Sequence, residues 1–223
     1  MIKVISAFKR KNGMSVEAFQ KYWLDIHGPI VTQLPGVKAY IQNHTLRGGY
    51  RRTEPAVDGV AELCFKDTDT LRSLINTDEL RAVREDHPKF MDMDSYCEFV
   101  TEDVVIKDGQ IPADGVKNIE LVRRKTGMPP EAFHQYWIEH HGPLGASIPQ
   151  VHRYVQSHTR SAAYRDGAEP ALDGVALTWF DDTQAMRDAA TTSQYAETRA
   201  DEINFVVEPL DFVITSEYII ISE

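Results

Sequence analysis

The hydrophobic pattern changes period several times in the first hundred residues, in an order that then repeats. Residues 2–9 form a short apolar-rich run, the pattern of a strand. Ser15 stands at an N-cap position before Val16-Glu17-Ala18-Phe19. Phe19, Trp23 and Ile26 then recur at i, i+4 and i+7, which predicts an amphipathic helix of roughly four turns. Gly28-Pro29 is expected to stop or redirect that helix. Strand-like alternation returns over residues 37–45 and 57–65. A helical stretch from Thr68 to about Asp86 and a β-branched, aromatic run over 96–106 complete the set. The order β-α-β-β-α-β is that of the split βαβ, or ferredoxin-like, unit, with an antiparallel sheet in the order 4-1-3-2 and helices on one face.

The second half of the chain repeats the first. FQKYWLDIHGP at 19–29 matches FHQYWIEHHGP at 133–143, an offset of 114. Tyr40-Ile41-Gln42-Asn43-His44-Thr45 matches Tyr154-Val155-Gln156-Ser157-His158-Thr159. One inserted residue raises the offset to 115, where Glu54-Pro55-Ala56-Val57-Asp58-Gly59 meets Glu169-Pro170-Ala171-Leu172-Asp173-Gly174. In the second copy Pro129-Pro130 occupy the first helical turn, where proline is tolerated. The period is too long for a solenoid and fits a duplicated domain. The polar segment 107–114 reads as a linker between modules at 1–106 and 115–223. Each sheet needs a cover on its open face, and two joined copies can close sheet on sheet. The expected fold is therefore α+β: two ferredoxin-like modules in an intrachain pseudo-dimeric barrel, with a further homodimer left open.

Composition narrows the partners. The 223 residues are 42% hydrophobic and 26% charged, enough for a true core. A net charge of −10 disfavours nucleic acid and anionic membranes. The basic runs at 9–11 and 123–125 read as solvated strand ends. Cys64 and Cys97 fall on strands that are not neighbours, so they are expected to be unpaired, buried thiols. The N-terminus reads as a strand rather than a signal peptide, and no apolar stretch reaches the ~20 residues a membrane span requires. A cytoplasmic protein is expected.

The F-x-x-Y-W-x-x-x-H-G-P segment, the Leu34-Pro35-Gly36-Val37 turn with Tyr40, and the Asp58-Gly59-Val60-Ala61 strand together resemble the EthD family of the dimeric α+β barrel superfamily. The resemblance covers both halves. It implies the barrel fold and a relationship to lactone isomerases, polyketide cyclases and dehydratases, quinol-type monooxygenases and haem-degrading enzymes. The second copy departs from the family pattern at Gln150, where a Gly is usual, so that loop should be stiffer and the two sites not equivalent.

The candidate catalytic residues are His27, His44, His141 and His158. His27 and His141 follow a core Trp by four positions. Each either caps carbonyls at a helix end, where the dipole would raise its pKa, or faces a cleft as a general acid/base. Period-2 geometry puts Tyr40, Gln42 and His44 on one face of their strand, as it does Tyr154, Gln156 and His158. A damp barrel interior or a ligand pocket would each account for them. Trp23, Trp137, Tyr40, Gln42, Tyr154 and Gln156 are the candidate ligand contacts. Asp58 and Asp173 join them as partners that orient a histidine, or serve only as turn residues. Tyr50-Arg51 and Tyr164-Arg165 either clamp an anionic or aromatic ligand or form solvated loops. His87 aligns with Glu202, which fits one working and one structural half. No metal-ligand spacing, phosphate loop or nucleophile elbow occurs, so neither a metal nor a cofactor is expected.

Three readings follow. The first is a cofactor-independent acid/base enzyme that isomerises, cyclises or dehydrates a cyclic or aromatic carbonyl compound. The second is a cofactor-free monooxygenase. The third is a non-catalytic barrel that carries a small-molecule ligand.

Overall fold

The computed structural model describes residues 1–222. The chain divides into two compact units.

The first unit comprises Met1–Val100 and the C-terminal residues from Glu217. Its elements are β1 (Ile2–Arg10), α1 (Val16–Tyr22), a π-helical turn (Trp23–His27), α2 (Gly28–Val31), β2 (Val37–Thr45) and β3 (Gly59–Phe65). α3 (Thr68–Ser73), α4 (Asp78–Phe90) and β4 (Met91–Lys107) follow. β3 pairs antiparallel with both β1 and β2, giving the expected order β4-β1-β3-β2. Ser15 caps α1, its hydroxyl accepting from the Ala18 N–H. The helices pack on the face of β1 that carries Phe8, whose ring meets Phe19, Trp23 and Phe90 at 5.0–6.1 Å.

The second unit, Thr101–Ser216, repeats the plan. β5 (Val116–Val122), α5 (Pro130–Tyr136), a π-helical turn (Trp137–His141), α6 (Gly142–Ser147), β6 (Arg153–Thr159) and β7 (Gly174–Phe180) lead to α7 (Thr183–Ala189), α8 (Ser193–Asp201) and β8 (Asp211–Ile221). β7 pairs with β5 and β6, and β8 pairs with β5 through Lys117–Leu121.

Two expectations about the first helix need correction. Gly28-Pro29 does not end it: Pro29 sits in the first turn of α2, where its missing N–H costs nothing. Ile26 is 49% exposed, because the π turn adds a residue per turn and rotates His27 into the buried stripe in its place. The turn closes with the Gly28 N–H donating to the Trp23 carbonyl, which also accepts from Gln42 Nε2 at 3.0 Å. Further along, the single helix expected from Thr68 is two, α3 and α4. Cys64 and Cys97 form no disulfide, as expected, and are half-buried rather than buried.

Two glycines of the first unit are structurally required, and one of them has a counterpart in the second. Gly36 has φ +79°, and a Cβ there would also meet Thr70 Cγ2 at 2.6 Å; Gln150 occupies the matching position in the second unit. Gly59 underlies the Trp23 indole, where a Cβ would clash with the ring, and Gly174 stands in the same relation to Trp137, at 2.7 Å from its Cζ3. Among the described residues no helix is long and apolar enough to cross a membrane.

Candidate functional site

The π turn buries His27 to 2% exposure between α1 and α4. Its Nδ1 lies 2.8 Å from Asp86 Oδ2 on α4. Asp86 also accepts from Tyr22 Oη at 2.9 Å and pairs with Lys89 at 3.1 Å. Burial pushes the Asp86 carboxyl up, but hydrogen bonds from His27, Tyr22 and Lys89 outweigh it and hold the group below the usual carboxylate range. An ionised Asp86 can only accept, so Nδ1 carries the proton and Nε2 is the free lone pair. Burial lowers the His27 pKa despite Asp86, which keeps the ring neutral at neutral pH. Of the two alternatives for His27, the helix-end cap with a raised pKa therefore does not apply: the ring is a buried, neutral imidazole.

His27 opens onto a cavity of about 580 Å³ inside the first unit. The volume suits a ring-sized small molecule. Its walls are mostly apolar, formed from the helix-facing side of β1 and β3 and from Trp23, Leu74, Val83 and Met91. His87, on the turn of α4 next to Asp86, also lines it. The His87 ring lies 5.2 Å from His27 and 5.3 Å from Tyr96, and no protein hydrogen bond to it occurs among the described residues. Burial first, then the neighbouring His27, lowers its pKa to about 4. Tyr96 Oη donates to Glu98 at 2.6 Å, at the polar end of the cavity.

Tyr40, Gln42 and His44 do share a face of β2, and that face is buried and hydrogen-bonded. Trp23 Nε1 and Gln42 Nε2 both donate to Tyr40 Oη, at 3.2 and 2.8 Å. Gln42 Oε1 accepts from His44 Nε2 at 2.9 Å. The His44 ring stacks on Trp23 at 4.4 Å, and burial lowers its pKa to about 4. Trp23 and Tyr40 line the cavity, whereas Gln42 and His44 stand behind them and do not reach it.

Asp58 also lies off the cavity wall. Its carboxylate accepts from the Arg10 N–H at 2.8 Å, from Arg10 Nη1 at 2.6 Å and from Tyr50 Oη at 2.5 Å. Arg10 stacks over the Tyr50 ring, so the loop tyrosine is tied into the fold rather than open to a ligand. Asp173, Arg124 and Tyr164 repeat the cluster in the second unit.

The second unit reproduces the imidazole–carboxylate pair without the space. His141 Nδ1 is 3.0 Å from Asp201 Oδ2, Tyr136 Oη donates to Asp201 at 2.6 Å, and burial again lowers the histidine pKa. Tyr154, Gln156 and Trp137 form the same string, with Gln156 Nε2 donating to Tyr154 Oη at 3.0 Å. His158 bonds Gln156 at 3.0 Å and also meets His134 Nδ1 at 2.7 Å; burial lowers it to about 3. Only about 60 Å³ remains beside His141. Tyr195, Glu120 and Glu202 line that remnant, at the positions of Leu80, Ser6 and His87 in the first unit.

Asp86 and Asp201 were not singled out from the sequence. The available signal was their match at the 115-residue offset within helices that otherwise diverge.

Solved structures share the fold. A candidate monooxygenase of Fusobacterium nucleatum superposes with a TM-score of 0.63 at 8% identity, covering 98% of this chain and 93% of its own. An anthrone oxidase-like protein gives 0.63 at 10% identity with the same coverage, 98% and 93%. A mutant chlorite dismutase of Candidatus Nitrospira defluvii gives 0.53 at 10% identity, covering 96% and 91%. A search of curated protein sequences finds no match. The EthD domain model matches twice, over residues 11–94 and 125–209, and the chain therefore belongs to the EthD family.

Proposed function

We propose that the chain is a small-molecule enzyme built on two ferredoxin-like modules, with its working site in the first. An apolar, ring-bearing compound enters the cavity beside His27 and presents a hydroxyl or an acidic C–H to Nε2. The neutral imidazole takes that proton. Asp86, fixed by Tyr22 and Lys89, holds the ring in the Nδ1–H tautomer and stabilises the imidazolium that forms. The His27 imidazolium then returns the proton elsewhere on the compound, while His87, kept neutral by burial, lines the same space as a second acceptor. Such a pair of transfers is what an isomerisation, a cyclisation or a dehydration requires.

The observation that carries the reading is that His27 and His141 have the same carboxylate partner, yet only His27 opens onto ligand-sized space. A second reading shares the first step. The anion formed by His27 is electron-rich and could meet dioxygen, a course favoured by the descriptions of two fold neighbours as a candidate monooxygenase and an anthrone oxidase-like protein.

The test uses a panel of cyclic ketones and hydroxylated aromatics. Proton exchange is followed by NMR in deuterated water, and oxygen uptake is measured in parallel. His27→Gln should slow turnover about a hundredfold or more, the usual contribution of a positioned acid/base, while His141→Gln leaves it within about twofold. Exchange without oxygen uptake selects the first reading, and uptake selects the second. Equal losses in both variants would overturn the assignment to the first unit. Tight binding with no turnover would leave a carrier protein.

A further inference from the structure

One cation at the cavity mouth lacks the carboxyl partners that its counterpart has. Arg84 on α4 lies one turn before His87, on the same face of the helix, and lines the cavity at its exposed rim. Among the described residues it makes no ion pair or hydrogen bond. The other arginine at the rim, Arg72, is paired with Asp69 at 3.3 Å.

The matching residue in the second unit is Arg199, which also lines its remnant cavity. There Nη1 lies 2.8 Å from Glu202 Oε1 and 3.6 Å from Glu120 Oε1. Both carboxyl groups line the second unit's remnant cavity. At their two positions the first unit has His87 and Ser6. The arginine therefore occurs in both units, while its two carboxyl partners are present only where the cavity is nearly filled.

We propose that Arg84 binds an anionic group of the ligand, and that the substrate is an apolar ring compound carrying a carboxylate. The ring occupies the space between Trp23, Val83 and Met91. The carboxylate takes the place that Glu202 holds against Arg199, as a charge-assisted and potentially bidentate pair. In a chain of net charge −10, such a rim cation selects the ligand's orientation as well as its charge. This rests on the first-unit cavity being the ligand site and adds the substrate's charge and direction of entry.

The experiment compares 2-naphthoate with its neutral isostere 2-naphthamide by calorimetric titration of the full chain at low salt. Naphthoate is expected to bind about tenfold more tightly, as a charge-assisted hydrogen bond allows. Arg84→Met keeps the aliphatic stem and should bring naphthoate down to the naphthamide level without changing naphthamide binding. Arg81→Met, which removes a cation of the same helix that pairs with Asp78 off the cavity wall, should leave both ligands unchanged. His27→Gln should retain the preference, which separates recognition from chemistry. Equal affinities, or a preference that survives Arg84→Met, would overturn the proposal while leaving the cavity as the ligand site. Failure of both probes to bind would overturn this proposal and the site together.

Discussion

The two units hold the same catalytic-looking framework and differ in what surrounds it. In each, a π turn buries a histidine against an aspartate that a tyrosine holds from behind. In each, a tryptophan, a tyrosine, a glutamine and a second histidine form one hydrogen-bonded string. A motif present in both a spacious and a filled half is first a device of the fold. The string satisfies buried polar groups that would otherwise cost stability, and its glutamine adds a second donor to the tryptophan carbonyl that closes the π turn. What sets the first unit apart is volume: about 580 Å³ against about 60 Å³.

The largest effect should come from exchanging that volume. Replacing Ser6, Leu80 and His87 by the second-unit residues Glu, Tyr and Glu should close the first cavity and abolish naphthamide binding in a titration. A triple variant that binds like the wild type would show that these side chains do not set the volume.

The framework itself should behave alike in both halves. Trp23→Ala and Trp137→Ala each remove a fully buried indole and are expected to destabilise the chain by about 3–5 kcal/mol. Urea unfolding would check this. A cost confined to Trp23 would mean that the second unit no longer depends on its core tryptophan.

The smallest effect, and the one that most sharply separates the halves, concerns pH. Glu202 is 2% exposed and its Oε2 has no partner. Burial and the neighbouring Glu120 raise its pKa to about 8, against the pull of Arg199. The folded state therefore binds its proton more tightly than the unfolded chain does. That contribution to stability is complete below the ordinary carboxyl value of 4.5 and is lost as pH rises through about 8. Urea midpoints measured from about pH 6 to about pH 9 should fall in the wild type and fall less in Glu202→Gln. Identical slopes would show that Glu202 is already ionised in the fold. The buried histidines of both halves act in the opposite direction. Their lowered pKa values mean that stability is lost as pH falls below about 6.5.

The repeat, the strand order and the shared face of Tyr40, Gln42 and His44 could all be read from the chain. Each follows from local geometry: strand alternation has a period of 2, and a matched offset needs no coordinates. The two-unit α+β plan and the family were legible for the same reason. Other features were not. Ile26 and His27 exchange places because one π turn rotates the helix, and the carbonyl that closes that turn also accepts from Gln42 of a different element. Asp58 reads as a histidine's partner or a turn residue, yet Arg10 and Tyr50 occupy it. Asp86, the carboxylate that does meet a histidine, lies 59 positions away from it.

The sequence by itself determined the duplication, the order of elements and the residue types that face each module's interior, because these depend on neighbours along the chain. Only the tertiary structure decided which histidine has a carboxylate, which half has room beside it and which arginine is left unpaired. Volume, burial and charge pairing are sums over side chains drawn from several elements, and one substitution in any of them changes the sum.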